Sequence, residues 1–157
     1  GEGTSFDILL PKRTVHSDES PIAAQVSVPV HGRILFVEDD DTVRHVTEKL
    51  LRSAGFQVWS APSGEVALKL LSEGVVDPEV VIADVVMPGI DGVTLARKLR
   101  EAKSNLLVIF VSGYKGNAVL DEELLLPDTY FLPKPYTPAQ LAGQIRKALT
   151  DQRANRQ

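Results

Sequence analysis

Four short apolar runs, each closing on a polar side chain, constrain this chain more than any other feature. Ile34-Leu35-Phe36-Val37 runs into Glu38-Asp39-Asp40, Val81-Ile82-Ala83 into Asp84, Leu106 to Val111 into Ser112, and Tyr130-Phe131-Leu132 into Pro133-Lys134. A run bounded by turn residues and lacking polar alternation reads as a strand buried on both faces, the condition of a parallel sheet covered by helices. In open α/β sheets the C-terminal strand ends are where ligands bind. The run before Asp84 breaks at once into the turn Val85-Val86-Met87-Pro88-Gly89.

The stretches between the runs have helical period. Val43, Val46, Leu50, Leu51 and Ala54 fit one helical face, stopped by Gly55. Phe56-Gln57-Val58-Trp59 is a second strand, and Ser63 is placed to cap a helix carrying Val66, Ala67, Leu70 and Leu71. Glu79 to Ala83 form the third strand, and Val93, Leu95, Ala96 and Leu99 mark a third helix beyond Pro88-Gly89. Residues 114–126 are the least regular part and suggest a short fourth helix ended by Pro127. Thr137-Pro138-Ala139-Gln140 opens a fifth helix with a capping-box pattern and Pro at its first position, and Leu141, Ile145, Ala148 and Leu149 give it an apolar stripe. Five strands alternating with five helices predict an α/β fold, a doubly wound five-stranded parallel sheet with helices on both faces.

A length of 157 residues suits one such domain with extra chain, and 43% hydrophobic with 24% charged residues is ordinary globular composition. No apolar run approaches the roughly 18 residues of a membrane span, and no secretory leader is visible. The absence of cysteine rules out disulfides and thiolate chemistry and fits a cytoplasmic protein. With a net charge of −4 and no basic stripe, nucleic acid is not an expected partner. Residues 12–31 carry Pro21, Pro29 and several Ser without periodicity and read as a linker; His16 and His31 within it, and His45 on a helix face, are given no role. Residues 1–11 read as a short strand behind a glycine turn, and since a lone strand is not stable they read as the severed end of another domain.

Taken singly, Asp40 or Asp41 reads as a helix cap, Ser112 as a turn former and Lys134 as a surface lysine. Taken together, the fold delivers Glu38, Asp39, Asp84, Ser112 and Lys134 to one edge of the sheet. Clustered carboxylates repel unless something positive compensates, and oxygen ligands with room for water are what Mg²⁺ prefers. A hydroxyl and an ammonium alongside suit the oxygens of a phosphoryl group. The pattern therefore points to phosphorylation of a carboxylate. No Walker-type glycine loop is present to hold a nucleotide, so the donor should be a phosphorylated protein or a small phosphodonor.

Residues 33–150 resemble a two-component receiver domain of the CheY type. Phe36-Val37-Glu38-Asp39-Asp40, Asp84-Val85-Val86-Met87-Pro88-Gly89, Val111-Ser112-Gly113-Tyr114 and Leu132-Pro133-Lys134-Pro135 match its four motifs in order. The resemblance implies strand order 2-1-3-4-5, with Asp84 as phosphoacceptor. It also implies Mg²⁺ held by Asp39, by Glu38 mainly through water, by Asp84, and by the Val86 carbonyl. Ser112 and Lys134 would bind phosphoryl oxygens, with a cis Lys134-Pro135 bond and Phe131 at the aromatic switch position. Phe131 lacks the hydroxyl of the frequent Tyr, and Glu38 replaces the frequent Asp. Val43, Val46, Pro135 and Tyr136 fall where family members dock histidine phosphotransfer partners.

Gly1-Glu2-Gly3-Thr4-Ser5-Phe6 resembles the last strand of a sensor histidine kinase ATP-binding domain. With a linker and then a receiver at residues 32–150, a tail at 151–157 and no effector domain following, this is the layout of a hybrid sensor histidine kinase. The motif wording further resembles the cell-cycle hybrid kinases of alphaproteobacteria. The resemblance implies that Asp84 takes a phosphoryl group from a kinase histidine and exchanges it with a histidine phosphotransfer protein. The isolated stretch would catalyse only its own Mg²⁺-dependent phosphorylation and dephosphorylation. It would lie in the cytoplasm, with the parent kinase anchored at the inner membrane. The alternative within the family is a single-domain response regulator that binds a target when phosphorylated. A receiver that only binds would be expected to lack Asp84, Asp39 or Lys134.

Overall fold

The computed structural model describes residues 31–113, 122 and 124–154. The strand expected at residues 1–11, the expected linker up to residue 30, most of the expected fourth helix and residues 155–157 lie outside them. Among the described residues there are five strands: β1 (Arg33–Val37), β2 (Gln57–Ala61), β3 (Val80–Asp84), β4 (Leu107–Ser112) and β5 (Thr129–Pro133). Four helices accompany them among the described residues: α1 (Asp41–Ser53), α2 (Gly64–Ser72), α3 (Gly92–Ala102) and α4 (Pro138–Ala154). The strands pair in parallel, as the sequence predicts, in the order β2-β1-β3-β4-β5 that the resemblance implies. The described helix count is four where the sequence predicts five. Of the expected helix at 114–126, Glu122 and Leu124 have helical backbone, and the Leu125 N–H closes a turn on the Glu122 carbonyl at 3.2 Å.

Alternating strand residues supply two separate layers of core, since successive side chains point to opposite faces. Ile34, Phe36, Val58, Ile82, Ile109 and Val111 pack with Leu51, Leu141, Ile145 and Leu149 on the side of α1 and α4. Leu35, Val37, Ala61, Val81 and Ala83 pack with Ala67, Leu95 and Leu99 on the side of α2 and α3. With both faces covered, no polar residue is tolerated within the central strands, which is why they appear in the sequence as unbroken apolar runs.

The helix starts follow their local chemistry. Asp40, Ser63 and Asp91 cap α1, α2 and α3 by accepting the N–H of Val43, Val66 and Thr94. At α4 the capping box closes reciprocally: Thr137 N–H donates to Gln140 Oε1 at 2.7 Å, and Gln140 N–H to Thr137 Oγ1 at 3.2 Å. That helix runs on through Ala154, so the stretch read as a tail begins as helix. Buried Gln152 donates there from Nε2 to the Asn105 carbonyl at 2.9 Å.

Helix α1 departs from the simple expectation. Its inward side is Arg44, Thr47 and Leu51, while Val43, Val46 and Leu50 of the apolar stripe stand 37%, 53% and 40% exposed. The stripe exists, but most of it is turned away from the core.

Candidate functional site

The parallel register explains why four separate strand ends meet. Val37 pairs with Ala83, which sets Glu38 level with Asp84. Asp84 pairs with Val111, and Ser112 with Pro133, so Ser112 and Lys134 follow one step further along adjoining strands. Carboxylate oxygens of Glu38, Asp39 and Asp84 all lie within 4.8 Å of one another. Glu38 is buried, Asp84 half-buried and Asp39 exposed, so the cluster opens to solvent along one side.

Lys134 is the cation that makes this cluster tenable. Its Nζ donates to Asp84 Oδ2 at 2.5 Å and to Glu38 Oε2 at 3.0 Å. Its own N–H is anchored on the Ser112 carbonyl at 2.9 Å. Burial alone would lower the Lys134 ammonium, but the hydrogen bonds to Asp84 and Glu38 outweigh it and hold the group charged above its ordinary value. Burial pushes the Glu38 carboxyl above the usual range, and Lys134 pulls it back only in part. The Lys134-Pro135 peptide is cis, as the resemblance implies. The Val86 N–H donates to Asp84 Oδ1 at 3.0 Å, which leaves Val86 immediately beside the carboxylate with its side chain in solvent.

Ser112 is buried at the end of β4. Phe131 sits on the neighbouring strand, paired with Phe110 and packed against Val85, Val93, Ala96 and Val108. Asp40 is the cap of α1 and Asp41 opens its first turn, so neither is needed in the cluster.

One side chain that holds the acidic loop escaped the sequence reading. Arg44 is buried beneath the acidic loop, where Nη1 donates to the Glu38 carbonyl at 2.9 Å and to the Asp39 carbonyl at 3.4 Å, and Nη2 pairs with the Asp41 carboxylate. A guanidinium suits this place because one planar group reaches several acceptors at once. The available signal was an arginine three residues beyond the first-turn acid Asp41, which ordinarily means a solvated pair. Arg44→Ala leaves two loop carbonyls without that donor, and urea denaturation should show a loss of about 1–3 kcal/mol. Arg44→Lys should recover only part of it, because an ammonium does not reproduce the fork.

Beside the acidic cluster lies an apolar cleft of about 680 Å³, lined by Val43, Val46, Leu50, Pro135, Tyr136 and Leu141 among others. Lys134 forms part of its wall, so the cleft and the carboxylates share an edge. All four residues expected at a docking surface border this one space.

The response regulator receiver domain family matches residues 34–146. The chain is 36% identical over 161 aligned positions to the sensor kinase CckA of Brucella abortus, an alignment covering 97% of this chain and 17% of that kinase. It is 33% identical to the response regulator receiver protein CpdR of the same organism, covering 74% of this chain and 96% of CpdR. Among solved structures, the receiver domain from the hybrid histidine kinase CckA is 42% identical with a TM-score of 0.64, over 75% of this chain and 99% of that one. A receiver protein from Sinorhizobium medicae is 29% identical with a TM-score of 0.68, over 78% of this chain and 98% of that one. Family match, identity and fold agree: this chain belongs to the response regulator receiver domains of two-component systems.

Proposed function

We propose that this receiver accepts a phosphoryl group on Asp84 from a phosphohistidine and exchanges it with a histidine phosphotransfer protein. The observation that carries the reading is the Lys134 ammonium bridging Asp84 and buried Glu38 at the open edge of a three-carboxylate cluster. A carboxylate oxygen of Asp84 attacks phosphorus, the P–N bond breaks, and the departing imidazole nitrogen takes up a proton. Lys134 stands ready to follow the transferred oxygens, since its partner Asp84 Oδ2 is one of the two candidate nucleophile atoms.

The donor set fits Mg²⁺, being all carboxylate oxygen, closely grouped and open to water on one side. Asp39, Asp84 and Glu38 would hold the ion, with the Val86 carbonyl as the backbone ligand. When bound, it supplies charge neutralisation and Lewis-acid polarisation of the phosphoryl oxygens. Ser112 and Phe131 form the proposed switch, reading the modified Asp84 through the hydroxyl and passing the change to the β5 side.

The partner surface is the exposed stripe of α1 with the loop after β5. Val43, Val46, Pro135 and Tyr136 border an apolar cleft that shares its edge with the acceptor site, so a helix seated there brings its histidine to Asp84. Val46→Glu puts a charge into that contact while leaving the carboxylates alone. Transfer from a phosphorylated histidine phosphotransfer protein should fall about tenfold, or about 1.4 kcal/mol. Uptake from a small phosphodonor should stay within twofold. Radiolabel transfer in both directions tests this, and equal loss with both donors would count against docking at α1.

The origin we favour is the receiver of a hybrid sensor histidine kinase. The alignment with CckA reaches 97% of this chain, beyond the receiver match at 34–146 and so into the N-terminal stretch and linker. The parent would act at the inner membrane with its receiver in the cytoplasm. Among the described residues no helix is long and apolar enough to cross a membrane. A single-domain response regulator is the second reading, favoured by the near-complete coverage of CpdR.

A further inference from the structure

Beyond the acidic cluster, one side chain from another element grips the loop that leaves Asp84. Glu65 lies in the first turn of α2, and its Oε1 accepts the Ile90 N–H at 3.0 Å across 25 residues of sequence. The two segments abut with no room to spare. A Cβ on Gly64 would meet Ile90 Cβ at 2.9 Å and its carbonyl at 3.0 Å. Gly89 has φ +75°, and a Cβ there would fall on the Glu65 carboxylate.

Glu65 is exposed. Its own backbone N–H, the Ser63 hydroxyl and the Ile90 N–H hold it below the usual carboxylate range, so it stays ionised and a constant acceptor.

The loop in question runs from Val85 to Ile90. At its start the Val85 N–H is held by the Val111 carbonyl at 3.0 Å, and the Gly92 N–H returns to the Val85 carbonyl at 3.1 Å. Val86, whose N–H reaches Asp84 Oδ1, lies between that start and the Pro88-Gly89 turn. Glu65 secures the far end from outside.

We propose that Glu65 is a positioning residue for the phosphoacceptor loop. Through Ile90 it fixes the backbone of residues 85–90, and with it the Val86 peptide beside the acceptor carboxylate. This rests on the reading of Asp84 as phosphoacceptor with Mg²⁺. An exposed bond of this kind adds little to global stability. Removing it should therefore loosen the loop without unfolding the domain.

The test compares unaltered protein, Glu65→Ala and Glu65→Gln, whose amide oxygen can still accept from Ile90. Amide hydrogen exchange is read at Ile90 and Val86, and Mg²⁺ affinity and the beryllofluoride response are read by NMR titration. In Glu65→Ala the Ile90 amide should exchange about tenfold faster, and Mg²⁺ binding should weaken about tenfold. Glu65→Gln should stay within twofold of the unaltered protein in both. A responsive unaltered protein with an unchanged Glu65→Ala would overturn the proposal, as would a Glu65→Gln as impaired as Glu65→Ala. An unaltered protein that answers neither Mg²⁺ nor beryllofluoride would instead sink the phosphoacceptor reading, and the role of Glu65 with it.

Discussion

An Asp84→Asn protein should take up no phosphoryl group from a small phosphodonor under conditions that label the unaltered chain fully. On the proposed reading the amide removes the anionic oxygen that forms the P–O bond, and neither of the other two carboxylates of the cluster is equivalent. Glu38 is buried, with Lys134 bonded to one oxygen and the Asp40 N–H at 3.5 Å from the other. Asp39 is exposed and lies outside the strand-end position that Lys134 serves. The fold itself should be indifferent to the change. Asparagine Oδ1 can still accept the Val86 N–H, and one of three crowded negative charges disappears, but Nδ2 then stands where Oδ2 accepted from the Lys134 ammonium. The two effects oppose each other, and stability should stay within about 1 kcal/mol of the unaltered protein. Intact-mass measurement after exposure to phosphodonor, paired with denaturant unfolding, checks both halves. Residual labelling of the variant would move the acceptor elsewhere.

Gly92→Ala should be the most damaging alanine substitution at any of the described glycines. Helix α3 begins there, and its first turn is pressed against the peptide that follows the acceptor. An added Cβ would fall well inside contact distance of the Asp84 carbonyl oxygen, 3.0 Å from the Asp84 carbonyl carbon and 3.1 Å from Val85 Cα. All three are backbone atoms, tied down because the Val85 N–H is held by β4, so no side chain can swing aside. Relief requires shifting α3 or the end of β3. Overpacking of this kind costs about 3 kcal/mol or more when backbone must move. Because the atoms displaced belong to Asp84 and Val85, phosphoryl uptake should fall with stability, by more than the folded fraction accounts for. Urea unfolding and uptake rates measured on the same preparation separate the two. A variant with unchanged midpoint and unchanged uptake would show that the α3 junction has slack.

Much of this was legible in the sequence for a simple reason. A strand buried on both faces leaves an unbroken apolar run, and the residue that ends the run must sit at the sheet edge. Glu38, Asp84, Ser112 and Lys134 are therefore placed at that edge by the sequence alone, and parallel register does the rest. The caps at Asp40, Ser63 and Thr137 were readable because their partners lie three residues away. What stayed hidden depends on contacts between distant segments. Periodicity reveals that α1 has an apolar stripe but not which side faces the sheet; there the Arg44 anchor beneath the acidic loop turns Val43, Val46 and Leu50 outward. Glu65 looks like an ordinary first-turn acid until Ile90, from another loop, is found against it. Gly92 reads as one more small residue at a helix start until the Asp84 peptide appears at van der Waals range.

The most direct measurement is ¹H–¹⁵N NMR of this chain with Mg²⁺, before and after a beryllofluoride phosphoryl mimic, with Asp84→Asn alongside. The account predicts shifts centred on Asp39, Asp84, Ser112 and Lys134, reaching Phe131, and none in the variant. A folded spectrum of the unaltered protein that does not change would contradict it, leaving a receiver fold that binds partners without taking up phosphate.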